Sequence, residues 1–180
     1  MPSLILDEHS IASAPARGEA MHALVRDLYP LLRSITGPGL RATVKRLGDV
    51  VPLEVTEVPS GTPVFDWSVP DEWSVEDAYI EHESGRRFAE LRNLNLHLVG
   101  YSVPVDTTMT LAELRPHLHS LPDHPGWVPF LSTYYKPGWG FSLAHRDLQS
   151  LPEGNYRVVI RSRLGPDSVS TALSRPHGQR

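Results

Sequence analysis

The spacing of apolar residues predicts two helices near the N-terminus. Apolar residues recur three or four positions apart between residues 19 and 32, and again between residues 40 and 51, which is the spacing of one helical face. Pro30 predicts the end or a kink of the first helix, because its ring removes an amide donor and clashes with the preceding turn. Pro52 closes the second helix, since the residue before a proline avoids the α region. The sequence therefore predicts an N-terminal helical pair.

From Leu53 onward apolar residues alternate with polar ones, which predicts strands that are buried on one face. Strands are predicted at residues 53–56, 73–82, 94–99, 128–135, 139–145 and 156–160. A turn at residues 83–86 joins the second of these strands to a hairpin partner. Thr110 and Glu113 have the spacing of a capping box and predict a short helix. The predicted fold class is α+β, with a small β-rich region in the middle of the chain.

The two ends of the chain lack such a pattern. Residues 1–18 mix Ser, Ala and Pro without a period, and we expect a flexible leader. Residues 165–180 have no apolar period either, and we expect a disordered tail. The apolar run from Leu4 to Leu6 is followed at once by acidic residues and preceded by no Lys or Arg, so a secretory signal is not predicted.

Composition and charge narrow the possible partners. A chain of 180 residues can form one domain, or a small domain plus part of another. The net charge of −4 carries no broad basic surface and argues against nucleic acid. No apolar run has the length of a membrane-spanning helix, so no membrane partner is predicted. The absence of cysteine excludes disulfides and thiolate metal sites, and with no secretory signature it predicts a cytoplasmic location.

The stretch from residue 117 to residue 145 concentrates the side chains that could form a site. It holds four of the nine histidines and six of the 14 aromatic residues, so any binding site is expected there. On an extended backbone His117 and His119 would face the same side and could share a metal ion, with His124 or His145 as a third ligand. Isolated histidines more often cap, hydrogen-bond or lie in solvent, so neither a metal ligand nor a catalytic residue is assigned.

The aromatic residues of this stretch favour a binding surface or a core. Alternate residues from 139 to 145 would share one strand face, which could bind a sugar or peptide or could pack in the core. Tyr134 and Tyr135 are adjacent, so both cannot face inward on a strand. The candidate binding surface comprises His117, His119, Tyr134, Tyr135, Trp139 and His145.

Five motifs carry a resemblance to known proteins: DLYPLLRSITGPGLRATVKRLGDVVPLEVTEVPSGTPVFDWSVPDEW, NLHLVGYSVPVD, HLHSLP, STYY and WGFSLAH. They resemble a bacterial zinc aminopeptidase-like family, whose members often carry the name polysaccharide-biosynthesis protein. The resemblance covers residues 19–164 and implies an α/β zinc-exopeptidase core, an inserted β-rich domain of unknown function and a C-terminal winged-helix domain. By this resemblance, residues 19–66 and 151–164 begin an incomplete exopeptidase core, and residues 67–150 are the insertion.

The resemblance implies a zinc cofactor for the full-length family, with a peptide or small-molecule substrate. Zinc would polarise the peptide carbonyl and activate water. The family's ligand motifs, beginning with a His-x-Cys-His-Pro-like sequence, follow the strand at residues 156–160, and this chain instead reads LGPDSVSTALSRPHGQR. We therefore expect an N-terminal fragment of a zinc-dependent aminopeptidase that binds no zinc and is inactive alone. The alternative is a non-catalytic ligand- or protein-binding β-module linked to surface polysaccharide biosynthesis; the oligomeric state stays open.

Overall fold

The computed structural model describes residues 14–133 and 136–174. The expected leader and tail fall partly outside these ranges, at residues 1–13 and 175–180. The chain divides after Leu31 into two compact units. No helix in the described ranges combines the length and the apolar character that crossing a bilayer requires.

The first unit contains helix α1 (Ala14–Leu28). This helix ends before Pro30, which confirms the predicted effect of that proline. It begins at Ala14, so the expectation of a flexible leader is wrong for residues 14–18. Pro15 lies in the first helical turn, where proline is tolerated because the amide that it lacks would have no acceptor within the helix.

The second unit begins with a loop and helix α2 (Pro38–Gly48), which confirms the second predicted helix. Gly37 precedes this helix with a φ of 95°. A Cβ atom at Gly37 would lie 2.5 Å from the carbonyl oxygen of Trp73. Both the positive φ and the close approach therefore require glycine at the turn into α2.

Two short helices follow, α3 (Leu111–Leu114) and α4 (His145–Gln149). The predicted capping box is confirmed at α3. The Thr110 hydroxyl accepts a hydrogen bond from the Glu113 amide at 3.3 Å, and the Glu113 carboxylate accepts one from the Thr110 amide at 2.8 Å. These two bonds satisfy backbone donors that the short helix leaves without acceptors.

All the strands of the described residues lie in the second unit. In the described part of the chain they are β1 (Glu54–Pro59), β2 (Pro63–Val64), β3 (Trp67–Ser68), β4 (Glu72–His82), β5 (Arg87–Phe88), β6 (Val105–Thr110), β7 (Leu118–His119), β8 (Phe141–Ser142), β9 (Asn155–Gly165) and β10 (Ser168–Leu173). The main sheet has the order β5-β4-β9-β6 and is antiparallel throughout. Three two-stranded sheets pair β1 with β10, β2 with β3, and β7 with β8. This mixture of helices and strands confirms the α+β fold class.

The main sheet crosses the domain boundary that the sequence predicts at residue 150. β9 lies between β4 and β6, so residues 155–165 share one sheet with strands of the predicted insertion. The turn at residues 83–86 joins β4 to β5 and confirms the predicted hairpin. The assignment of residues 19–66 and 151–164 to the core of a longer protein stays a prediction.

One face of the main sheet forms the apolar core. Alternate residues of β4 and β9 point into it, and helices α3 and α4 and the β7–β8 pair supply other residues of this core. Its fully buried members include Ala78, Ile80, Leu114, Phe141, Tyr156 and Val158. On the other face the Tyr79 ring is covered by the Arg87 guanidinium, 3.8 Å from the ring centroid. Polar side chains therefore cover the outer face, as is usual for an antiparallel sheet.

The expectation of a disordered tail is wrong for residues 168–173. They form β10, which pairs with all six residues of β1. The Glu57 carboxylate accepts hydrogen bonds from the Ser168 and Ser170 hydroxyls. Arg41 of α2 pairs with Glu57, with Glu72 and with Asp167. Backbone pairing and polar contacts hold this strand. The prediction missed it because it relied on apolar alternation, which these residues lack.

Two other predicted strands are largely absent. The segment of residues 94–99 contains a 3₁₀ helix, Asn95–His97, and only Leu98 forms an isolated bridge, to Phe141. The turn lets Leu98 enter the core while His97 Nδ1 donates to the Ser142 carbonyl at 2.7 Å. In the described part of residues 128–135 only Ser132 forms a bridge. A few hydrogen bonds and isolated bridges to distant residues hold each segment, in place of the regular pairing of a longer strand.

A buried polar cluster joins β4, β9 and the loops around them. The Trp73 indole donates to the Ser102 carbonyl at 3.0 Å, and the Ser162 hydroxyl donates to the same oxygen at 2.7 Å. The Ser102 hydroxyl, which has no exposed surface, donates to the Val99 carbonyl and accepts from the Gly140 amide. Ser102 therefore satisfies polar groups from three separate segments of the chain.

We predict that Ser102→Ala lowers the free energy of unfolding by about 1–3 kcal/mol, because it leaves the buried Gly140 amide without its acceptor and removes one of two hydrogen bonds to the Val99 carbonyl. Urea denaturation measures this loss. Ser150→Ala is the matched control: its exposed hydroxyl also donates to a main-chain carbonyl, and its removal should change stability by no more than about 0.5 kcal/mol. Equal effects of the two substitutions would contradict the prediction.

Candidate functional site

The structure brings together two residues of the predicted surface, His117 and Trp139. Their rings stack with centroids 3.6 Å apart and planes at 8°. His117 Nδ1 also donates to the main-chain carbonyl of Trp139 at 3.2 Å. Parallel pairing of Leu118 with Phe141 aligns the two segments and holds the stack in register. The imidazole thus serves as a stacking and hydrogen-bonding group.

His119 lies against the backbone of Gly140. A Cβ atom at Gly140 would lie 2.9 Å from His119 Nε2 and 2.9 Å from the His117 carbonyl oxygen, so any larger residue would displace the ring or the strand. The His119 side chain makes no hydrogen bond with a residue of the described ranges. Burial lowers the pKa of His119, and the neighbouring His117 lowers it further. His119 is therefore a neutral imidazole near pH 7.

His145 lies in a helix and not on the predicted strand. It begins helix α4, so the expectation that alternate residues from 139 to 145 share one strand face is wrong at its last position. The Ser120 hydroxyl lies 2.9 Å from His145 Nδ1. Phe141 and Leu143 of the same segment are core residues, which agrees with the core alternative for that face. Tyr134 and Tyr135 lie outside the described residues.

The four histidines of this stretch do not form a metal site. His124 stacks on Trp127, with ring centroids 4.2 Å apart and planes at 13°. The chelate hypothesis needs an extended backbone at His117 and His119, but His117 ends the 3₁₀ helix Arg115–His117. Across the described ranges, nowhere do three or more His, Cys, Asp or Glu side chains converge as metal ligands would. The residues present do not fit the zinc ion that the family resemblance implies.

A cavity of about 400 Å³ opens beside His119. Its lining comes from three segments of the chain and consists of Arg115, Leu118, His119, Ser120, Leu121, Pro129, Leu131 and Leu148. Only His119 belongs to the surface predicted from sequence. Arg115 and the apolar wall were missed because no periodic signal links residues that lie so far apart along the chain. We call this space the Arg115 cavity.

Ser142 is a second residue that the sequence does not mark. Its side chain has no exposed surface, and its hydroxyl has no hydrogen-bond partner among the described residues. Its carbonyl accepts from His97 Nδ1, so only the hydroxyl is left unsatisfied. A buried hydroxyl without a partner costs free energy, which means that β8 is held despite this side chain and not by it.

Comparison with known proteins gives a family match and two similar proteins. The model of a family described as "Domain of unknown function (DUF2172)" matches residues 72–163. A protein of Clostridium acetobutylicum named "Putative polysaccharide biosynthesis protein with aminopeptidase-like domain" is 43% identical over 160 residues, which are 89% of this chain and 37% of that protein. The crystal structure of a "putative peptidase" from Clostridium acetobutylicum matches with a TM-score of 0.86 and 42% identity. That match covers 90% of this chain and 38% of the other, so the chain spans less than two fifths of either relative.

The low pKa of His119 predicts a pH-dependent stability. Between the folded pKa and the ordinary value of about 6.5, the unfolded chain binds more protons at this group than the folded chain does. The contribution of His119 to stability should therefore fall as the pH is lowered through about 6.5, and the loss is complete below the folded pKa. His119→Gln should reduce this pH dependence in urea denaturation. Imidazole NMR titration tests the cause directly, and a His119 pKa above the ordinary value would refute it.

We predict that Ser142→Ala keeps or raises the free energy of unfolding, by up to about 1 kcal/mol, because it removes a buried hydroxyl that has no partner. Thermal and urea denaturation of the same variant provide two independent measurements. Ser102→Ala is the matched contrast, since its buried hydroxyl is fully engaged. A clear loss of stability in Ser142→Ala would mean that the hydroxyl has a partner after all.

Proposed function

The chain belongs to the family of the domain of unknown function DUF2172, and from this we propose that it is a non-catalytic N-terminal part of a zinc-dependent aminopeptidase. The names of both relatives support a peptidase-like protein, one as "aminopeptidase-like" and one as a "peptidase". Each relative is more than twice as long as the matched region, which supports a role for this region as one part of a longer protein.

The contacts of the histidines between residues 117 and 145 are the observation that carries this proposal. His117 is bound to a main-chain carbonyl and stacked on an indole, and His145 is bound to a serine hydroxyl. A catalytic zinc site needs three protein ligands from His, Asp or Glu, an open position for water, and outer-sphere partners that orient the imidazoles. No carboxylate belongs to either arrangement. In this proposal the metal chemistry belongs to other residues of the longer protein.

The remaining expectations about the protein's role stay predictions. These are a peptide or small-molecule substrate for the full-length protein, a cytoplasmic location, and the alternative of a ligand- or protein-binding module linked to surface polysaccharide biosynthesis. The name of one relative supports the link to polysaccharide. Trp127, which is 63% exposed, offers a ring face on which a sugar could stack.

We predict that the purified chain keeps well under one zinc ion per molecule after loading with zinc and dialysis against metal-free buffer. It should also hydrolyse aminoacyl p-nitroanilides no faster than a blank, because its histidines lack a shared cavity and carboxylate partners. Metal analysis of the protein and release of p-nitroaniline are the two measurements.

The double variant His117→Ala, His119→Ala removes the two histidines of the chelate hypothesis, and His22→Ala in helix α1 is the control that removes a histidine elsewhere. All three proteins should retain the same small amount of zinc. The proposal would be overturned if the chain bound stoichiometric zinc, or hydrolysed the substrate, and only the double variant lost that property. Residues 117–145 would then contain a metal site.

A further inference from the structure

We propose that the Arg115 cavity binds a small aliphatic carboxylate, with the Arg115 guanidinium holding the carboxylate group. The cavity measures about 400 Å³ and is open to solvent on one side, so it can accept a small molecule or the end of a chain. This site needs neither zinc nor hydrolysis. Its test is therefore independent of the assays for the peptidase function.

The charge of the cavity selects an anion. Arg115 makes no ion pair with a residue of the described ranges, whereas the nearby Arg146 pairs with Asp147. The lining contains no acidic residue, so a carboxylate would meet attraction from Arg115 without repulsion from the wall. The planar guanidinium presents parallel N–H donors that match both oxygens of a carboxylate. Arg115 is exposed, so its guanidinium is accessible to a ligand from solvent.

The walls of the cavity select an aliphatic body for that anion. Five of the eight lining residues are leucine or proline: Leu118, Leu121, Pro129, Leu131 and Leu148. Leu121 and Leu131 keep more than a third of their surface exposed, so a branched aliphatic group would cover apolar surface that is now in water. Inorganic phosphate would gain nothing from these walls, and one guanidinium balances only part of its charge.

His119 and Ser120 give the cavity a second polar point. The His119 imidazole stays neutral and has no hydrogen bond in the described structure, so it can donate to or accept from a ligand. The Ser120 hydroxyl is held by His145 Nδ1. A ligand with an amide next to its carboxylate, such as the C-terminal residue of a peptide, would use this point; a free aliphatic acid would not. Both kinds of ligand, the peptide C-terminus and the free acid, have the carboxylate and the aliphatic group.

Titration calorimetry with the purified chain distinguishes a peptide C-terminus from a free aliphatic acid as the ligand. The ligands are 4-methylpentanoate, N-acetyl-leucine, the amides of both, and inorganic phosphate. We expect the two acids to bind with millimolar or tighter affinity and the amides and phosphate to bind at least tenfold more weakly. Tighter binding of N-acetyl-leucine than of 4-methylpentanoate identifies a peptide C-terminus as the natural ligand, and the reverse order identifies a free acid.

Two variants assign the contact to Arg115. Arg115→Gln should weaken binding of the preferred acid at least tenfold, while Arg146→Gln, which removes an equal charge from the exposed surface of α4, should change it less than twofold. Leu131→Asp should also abolish binding, because it places a negative charge in the wall. Far-UV circular dichroism verifies that each variant is folded. No binding of either acid at tens of millimolar, equal binding of acids and amides, or an unchanged affinity in Arg115→Gln would overturn the proposal.

Discussion

The hydrogen bond from the Trp73 indole to the Ser102 carbonyl is the contact on which the arrangement of the second unit depends. Trp73 is the second residue of β4, which forms the longest strand pair of the main sheet with β9, and its ring stacks on Tyr101 with centroids 5.6 Å apart. Tyr101 has a φ of 63°, a region that costs free energy for any residue with a Cβ atom. The stacked indole and the hydrogen bond between the Tyr101 and Thr36 hydroxyls, which lie 2.7 Å apart, offset that cost.

This cluster also determines where the candidate site lies. The Ser102 hydroxyl accepts from the amide of Gly140, the residue that packs against His119 and follows Trp139. The segment that stacks on His117 is therefore tied to the sheet through one buried serine. An apolar residue at this position would fill the space but would leave the Gly140 amide unpaired and the Val99 carbonyl with only the backbone amide of residue 102 as a donor. Burial of polar groups is tolerated here because almost every one of them has a partner.

The parts of the fold that could be predicted from sequence are those set by adjacent residues. The capping box of Thr110 and Glu113, the turn at residues 83–86 and the end of α1 before Pro30 each depend on contacts within a few positions. The alternation at residues 156–160 predicted β9 correctly because one face of that strand enters the core. For these elements, local chemistry was sufficient.

The candidate site could be predicted only in part, because pairings between distant residues create it. His117 and Trp139 meet through the parallel pairing of β7 and β8, and no spacing in the sequence encodes that pairing. Residues 168–173 form a strand although they lack alternation, since their partner β1 supplies the hydrogen bonds. A density of histidines indicates metal binding only if the backbone makes the rings converge. Here a 3₁₀ turn ends at His117, so a spacing of two gives one ring stacked on an indole and another beside an open cavity.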